Sequence, residues 1–289
     1  MKLIAALLLS SLLTLCLSVQ ARDSRYVAAM EDSKWLMSSK TPIHCALEHD
    51  IPRFGKAVFS QSAGRKMQLE LLYNRYLPEN ISVIFQIEPP VWKKNSDGVI
   101  LASLEIRSRA RKMSVPTGAA EQAFYGLEAG LQPSFYIYAD GESDDATVVT
   151  LSTVRFRNAK TEFVDCVSGL YPDNFDDIKF AKLHFEFDDE FPTLKSEDNA
   201  LEPMFNYLKV DNKVSQFIIS GHADHMGKVC YNDTLSSRRA WYVYDLLIAK
   251  GVDPARISVN FFGESKPLVQ GQTKQELALN RRVSVAIRR

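Results

Sequence analysis

Apolar and polar positions alternate with a period of two through much of the first half of the chain. Met67, Leu69, Leu71 and Tyr73 fall on one face against Lys66, Gln68 and Glu70, and Ile81, Val83, Phe85 and Ile87 repeat the pattern. Such alternation marks strands buried on one side. Residues 99–107, 134–139 and 147–156 are further β-rich runs, punctuated by Pro89-Pro90, Asn95-Ser96-Asp97-Gly98 and Asp140-Gly141 as turns. Residues 118–130, with Ala119, Ala120, Ala123, Phe124 and Leu127, read as a short helix, and residues 22–56 as mixed polar sequence. The pattern predicts a mostly antiparallel β domain, sandwich-like or barrel-like.

After Cys166 the period changes. Residues 168–174 form a turn-rich link into a strand over 178–187 with Phe180, Leu183, Phe185 and Phe187. A helix over 197–209, a strand over 214–221 and a helix over 234–250 follow, the last with Ala240, Val243, Tyr244 and Leu247 at helical spacing and Gly251 as its stop. A strand over 256–262, a helix over 274–280 and a strand over 282–287 close the chain. Strands alternating with helices predict a small α/β sandwich, so the fold class is α+β: a β-rich domain over 22–172 and an α/β sandwich over 173–289.

Composition adds two constraints. Among 289 residues, Lys plus Arg (35) balances Asp plus Glu (35), and the basic residues read as scattered, so neither nucleic acid nor an anionic membrane is an expected partner. Residues 1–21 read as a secretory leader, with Lys2 before an apolar run and Val19-Gln20-Ala21 as the cleavage site. A membrane anchor and a lipoprotein acylated at Cys16 are the alternatives, and no later stretch is apolar enough to span a bilayer. Export leaves Cys45, Cys166 and Cys230 in an oxidising compartment. Cys45 and Cys166, outside the second half's polar motif, are paired in this reading with Cys230 free; the alternative is three buried thiols.

That motif occupies residues 217–239. The apolar Phe217, Ile218 and Ile219 stop at Gly221, a polar loop follows, and Arg239 lies near the start of the next helix. Asp224 on the loop and Arg239 on the helix suit a zwitterion, the carboxylate taking an ammonium and the guanidinium a carboxylate. A salt bridge between them is the plainer alternative. His222, Asp224, His225 and Cys230 are crowded on one loop without the distant ligand pair of a tetrahedral metal site. Neither a nucleophile elbow nor a glycine-rich phosphate loop occurs, so no catalytic residue, metal or cofactor is expected.

The full motif resembles the OmpA-like peptidoglycan-binding family over about residues 175–289. It stands as Gly221-His222-Ala223-Asp224, Gly227, Tyr231-Asn232, Leu235-Ser236-Ser237-Arg238-Arg239-Ala240, Gly251-Val252, Arg256-Ile257, Gly263-Glu264-Ser265-Lys266-Pro267 and Asn280-Arg281-Arg282-Val283. Phe261-Phe262-Gly263 departs from the family's usual Gly-Tyr-Gly. The resemblance implies that Asp224 and Arg239 clamp the diaminopimelate of a peptidoglycan stem peptide. It also implies that Asn232, Leu235 and Ser236 line the groove, that Asn280, Arg281 and Arg282 close it, and that His222 is structural. With a β-rich domain in front, the layout is similar to that of the MotY family, periplasmic components of the sodium-driven flagellar motor with a bridge at positions like Cys45 and Cys166. That likeness implies a non-enzymatic protein of the periplasm and basal body, partnered by peptidoglycan, a MotX-like protein and the stator proteins. A general envelope-stability protein without a motor role is the alternative, and a wall hydrolase or metalloprotein using His222, Asp224 and His225 a third reading.

Overall fold

The computed structural model describes residues 24–90, 93, 98–139, 146–192 and 194–289. The expected leader and the turns at Asn95-Ser96-Asp97 and Asp140-Gly141 lie outside the described residues. Among the described residues, the β structure forms two five-stranded sheets and one four-stranded sheet.

The first sheet contains β1 (Ser24–Tyr26), β6 (Ile81–Glu88), β7 (Val99–Ile106), β9 (Gln132–Ala139) and β10 (Thr147–Thr150), in the order β1-β10-β9-β6-β7. Only the β1–β10 pair is parallel. The second contains β2 (Trp35–Thr41), β3 (His44–Ile51), β4 (Gly55–Ser62), β5 (Gln68–Tyr73) and β8 (Lys112–Val115), all antiparallel. Leu47, Phe59, Leu69 and Leu71 from one sheet and Val83, Phe85, Phe135 and Val149 from the other share a single buried core. Helices α1 (Thr117–Glu128) and α2 (Phe156–Ser168) insert Phe124, Phe156 and Phe163 into it. The Phe124 ring lies 5.3 Å from Phe59 and 5.2 Å from Phe156, both edge-on as aromatic quadrupoles prefer, and 5.5 Å from the tilted ring of Phe163.

Two expectations fail in this half. Residues 22–56, read as mixed polar sequence, contain β2, β3 and most of the hairpin leading to β4. Their polar residues hid the alternation because one of them is itself in the core: His49 is fully buried, its Nδ1 pairs with the Lys34 carbonyl at 2.9 Å, and its ring stacks on Trp35. The run 147–156, read as one strand, is β10 ending at Thr150 and a helix beginning at Phe156. Arg155, at φ +62°, turns the chain between them, and Phe156, Ala159, Phe163 and Cys166 then recur at helical spacing on the buried face of α2. A disulfide joins Cys45 on β3 to Cys166 on α2, with Cα atoms 6.1 Å apart. Cys230 is free and exposed.

The second cluster is built on β11 (Phe180–His184), β12 (Gln216–Gly221), β13 (Ile257–Phe261) and β14 (Arg282–Arg288), in the order β11-β14-β12-β13. Helices α3 (Phe175–Ile178), α4 (Leu194–Leu208), α5 (Val229–Ala249) and α6 (Lys274–Asn280) complete it. Leu183, Phe217, Ile219, Val283 and Val285 pack on Leu201, Met204, Ala240, Val243 and Leu247. The strand expected over 178–187 is shorter: Phe180 points to the opposite face from Leu183, and Phe187 follows the strand's end, so both rings are exposed.

The two clusters meet at a polar seam. The Tyr171 amide donates to the Pro42 carbonyl at 2.7 Å, Arg65 bonds Asp176 at 3.0 Å, and Ile43 packs against the second cluster. Gly64, at φ +62°, lies so close that a Cβ would stand 2.7 Å from the Asn174 amide nitrogen.

Candidate functional site

Strand β12 ends where the motif begins. At Gly221 a Cβ would overlap the Ser236 carbonyl oxygen, so glycine lets β12 and α5 touch backbone to backbone. The loop leaving Gly221 is tied on both sides: the His222 amide donates to the Arg282 carbonyl at 2.9 Å, and the Ala223 amide to the Gly263 carbonyl at 2.8 Å.

Helix α5 begins at Val229, five residues before the position expected from the pattern, so Arg239 lies in the middle of the helix rather than near its start. The early start puts Asn232, Leu235, Ser236 and Arg239 on one buried face at i, i+3, i+4 and i+7. Asn232 Nδ2 donates to the Asp224 carbonyl at 3.0 Å and to Glu264 at 2.6 Å. Ser236 Oγ accepts the Gly263 amide at 3.0 Å. These two side chains pin the Asp224 loop and the Gly263 turn to the helix.

Asp224 is 4% exposed; its Oδ1 accepts the Met226 amide at 3.1 Å and its Oδ2 the Nη1 of Arg281 at 2.9 Å. Arg281 also donates Nε to the Phe185 carbonyl at 3.1 Å. Arg239 is completely buried. Its guanidinium donates to three carbonyls, those of Asp189 (2.7 Å), Glu186 (3.1 Å) and His222 (3.4 Å), and lies 5.0 Å from the Phe185 ring. Burial, then the nearby Arg281 charge, lowers its pKa to about 10, which leaves it protonated at neutral pH. The direct ion-pair partner of Asp224 is thus Arg281, while Arg239 braces the chain that follows β11.

Asn280 holds the next turn, its Oδ1 accepting the Leu268 and Val269 amides and its Nδ2 donating to the Val269 carbonyl. Arg282 is 6% exposed and gives Nη2 to the Lys266 carbonyl at 3.3 Å. His222 stacks on Phe262; burial, then the charges of Arg282 and Lys266, lowers its pKa to about 4, so it is neutral near pH 7. Beside the Asp224 loop a cavity of about 430 Å³ opens, lined by Ala223, His225, Glu264, Pro267, Val269 and Asn280.

Asp224, Asn232, Leu235, Ser236, Arg239, Asn280, Arg281 and Arg282 therefore gather around one loop. Glu264, which fixes Asn232, and the Glu186 and Asp189 carbonyls, which hold Arg239, carry no expectation from the motif. Among the described residues, no three His, Cys, Asp or Glu side chains converge as metal ligands, and no helix is long and apolar enough to cross a membrane. The arrangement offers fixed charges and hydrogen bonds, suited to recognising a ligand.

Comparison with known proteins places both halves. Residues 26–172 match the model of the MotY N-terminal domain, and residues 186–281 that of the OmpA family. The chain is 30% identical over 275 residues to the sodium-type flagellar protein MotY of Vibrio parahaemolyticus, spanning 94% of this chain and 93% of that protein. Outer membrane porin F of Pseudomonas fluorescens is 41% identical over 69 residues, 24% of this chain and 21% of the porin. Among solved structures, the peptidoglycan-associated lipoprotein of Burkholderia pseudomallei aligns at 27% identity and a TM-score of 0.35, covering 37% of this chain and 90% of that one. The C-terminal domain of Helicobacter pylori MotB aligns at 20% and 0.34, covering 37% and 84%. With its N-terminal model spanning half the chain and a relative matched along nearly its whole length, this protein belongs to the MotY family.

Proposed function

We propose that the protein is a non-enzymatic structural component of a sodium-driven flagellar motor, exported to the periplasm and anchored to the cell wall. Its C-terminal unit binds peptidoglycan, and its N-terminal unit meets the basal body, a MotX-like protein and the stator proteins, aiding stator incorporation. The observation that carries the wall-binding part is the buried charge set at the end of β12, with Asp224 paired to Arg281 and Arg239 behind them. In this reading the ammonium of a diaminopimelate side chain goes to Asp224 and its carboxylate to the guanidinium side, with Asn232, Leu235, Ser236, Asn280 and Arg282 shaping the groove. The near full-length match to a flagellar relative supports a motor role over a general envelope role, since porin F shares only about a fifth of its own length with the chain.

The test is co-sedimentation of the mature protein with purified peptidoglycan, beside Asp224→Asn. Asparagine keeps the shape and one acceptor oxygen, enough for either the Met226 amide or Arg281, and removes the charge that pairs with an ammonium. The wild type is expected in the pellet and the variant largely in solution, with a lowered unfolding midpoint but a retained cooperative transition that shows the variant is folded at the assay temperature. Equal pelleting would remove Asp224 from the site. A null mutant that swims normally with a fragile envelope would replace the motor role by the envelope role.

A further inference from the structure

Each of the two N-terminal sheets has two edge strands, and two of these four strands are very short. Strand β1 has 3 residues and β8 has 4; β2 has 7 residues and, like β7, carries one bulge and touches a helix, the bulges lying between Met37 and Ser39 on β2 and at Leu101 on β7. Very short edge strands are one way proteins avoid pairing with foreign strands. Strand β7, with 8 residues, is paired by β6 on one side and by no other described strand. Its core-facing Ala102, Leu104 and Ile106 are only partly buried, and Val99 and Ile100 at its start are exposed.

The far end of the same strand is basic. Chain order gives Arg107, Arg109, Arg111 and Lys112 within six residues, a concentration that the sequence reading took as scattered charge. Arg107 pairs with Glu105 and Lys112 with Glu70. Arg109 and Arg111 form no ion pair among the described residues; their guanidinium carbons lie 5.1 and 4.4 Å from the centre of the half-exposed Tyr76 ring, beside exposed Arg75. A planar guanidinium held by its face on an aromatic ring keeps its N–H edges free for a carboxylate. The edge therefore offers main-chain groups that no other described strand pairs, an apolar start and two pre-positioned cations at its end.

We propose that β7 is a docking strand for an extended segment of another protein, added antiparallel to β7, whose N-terminal residues are acidic and whose following residues alternate polar and apolar. The acidic end lies against Arg109 and Arg111, and the apolar side chains cover Leu104, Ala102 and the Val99–Ile100 end. Charge complementarity sets direction and register, and the main-chain ladder supplies the affinity. A lipid surface offers anions but no backbone to complete the ladder, so the edge favours a polypeptide.

The test uses the mature full-length protein and a synthetic peptide with an N-terminal Asp-Asp-Glu followed by alternating Thr and Val. Fluorescence anisotropy is expected to show saturable binding. Affinity should fall at least tenfold in Arg109→Glu/Arg111→Glu, two exposed positions whose change leaves unfolding unaltered. Amide hydrogen exchange should slow along residues 99–106 when the peptide is bound. Equal binding of a peptide with Lys-Lys-Lys in place of the acidic end would overturn the proposal. So would binding without new protection in β7, or pelleting with anionic phospholipid vesicles while the peptide fails to bind.

Discussion

Arg239→Ala is the substitution with the largest expected effect on the C-terminal unit. Arg239 is buried on α5, and its three donors satisfy the carbonyls of Glu186, Asp189 and His222, two of which belong to the segment crossing over the helix after β11. Truncation strands those carbonyls and removes the cation over Phe185. Two hydrogen bonds from a charged donor at 2.7 and 3.1 Å account for most of the loss, and the desolvation of a buried guanidinium, relieved by the same change, offsets part of it. The net destabilisation is about 3–5 kcal/mol, which for a protein of this size lowers the unfolding midpoint by roughly 6–20 °C. Arg239→Lys keeps the charge, but a single ammonium cannot reach three carbonyls, so an intermediate loss is expected. Scanning calorimetry measures the midpoints, and hydrogen exchange over residues 185–192 reports whether that segment lifts away. An alanine variant that unfolds with the wild type yet loses wall binding would refute the brace and make Arg239 purely a ligand group.

Two further outcomes follow from buried groups. His222 has its folded pKa lowered to about 4 against an unfolded 6.5, so its neutral form stabilises the fold above pH 6.5 and that stability drains away as pH falls toward 4, by at most about 3 kcal/mol. Denaturation midpoints at pH 7 and pH 5 should therefore differ less in His222→Gln than in the wild type, and parallel declines would assign the acid sensitivity to another group such as buried His49. Replacing both Cys45 and Cys166 by alanine opens a closure of 121 residues, worth about 5 kcal/mol in the chain-entropy model. Urea unfolding with and without reductant checks this, and a wild type indifferent to reductant would show that the bridge contributes little.

Much of the candidate site was legible through the motif shared with the OmpA-like family, which contains Asn232, Leu235, Ser236 and Arg239; the helix expected over 234–250 left Asn232 outside, and it is the start of α5 at Val229 that sets the four on one face. What could not be read is where that face points its hydrogen bonds. Arg239 reaches carbonyls about 50 positions away in sequence, and backbone oxygens leave no trace in residue identity. Strands were legible where one face meets solvent, as in β5 and β6. They were missed in β2 and β3, where a buried histidine interrupts the alternation, and α2 was missed because its aromatic positions suit either a strand or a helix until Arg155 turns the chain. The basic edge escaped notice because Tyr76, which organises Arg109 and Arg111, belongs to a different part of the chain and only the folding of the two sheets brings it there.

The position of the disulfide has a mechanical consequence. Tension between the two units enters the β sandwich through the segment after Gly169, directly behind Ser168 at the end of α2. Cys166 lies two residues before that end, so the load passes at once through the sulfur bridge into β3, a strand hydrogen-bonded on both sides by β2 and β4. The helix cannot be peeled back past Cys166, and the chain between the bridged residues is excluded from the extensible length. At about 3.4 Å per residue, that removes roughly 400 Å from the length the chain can reach when pulled.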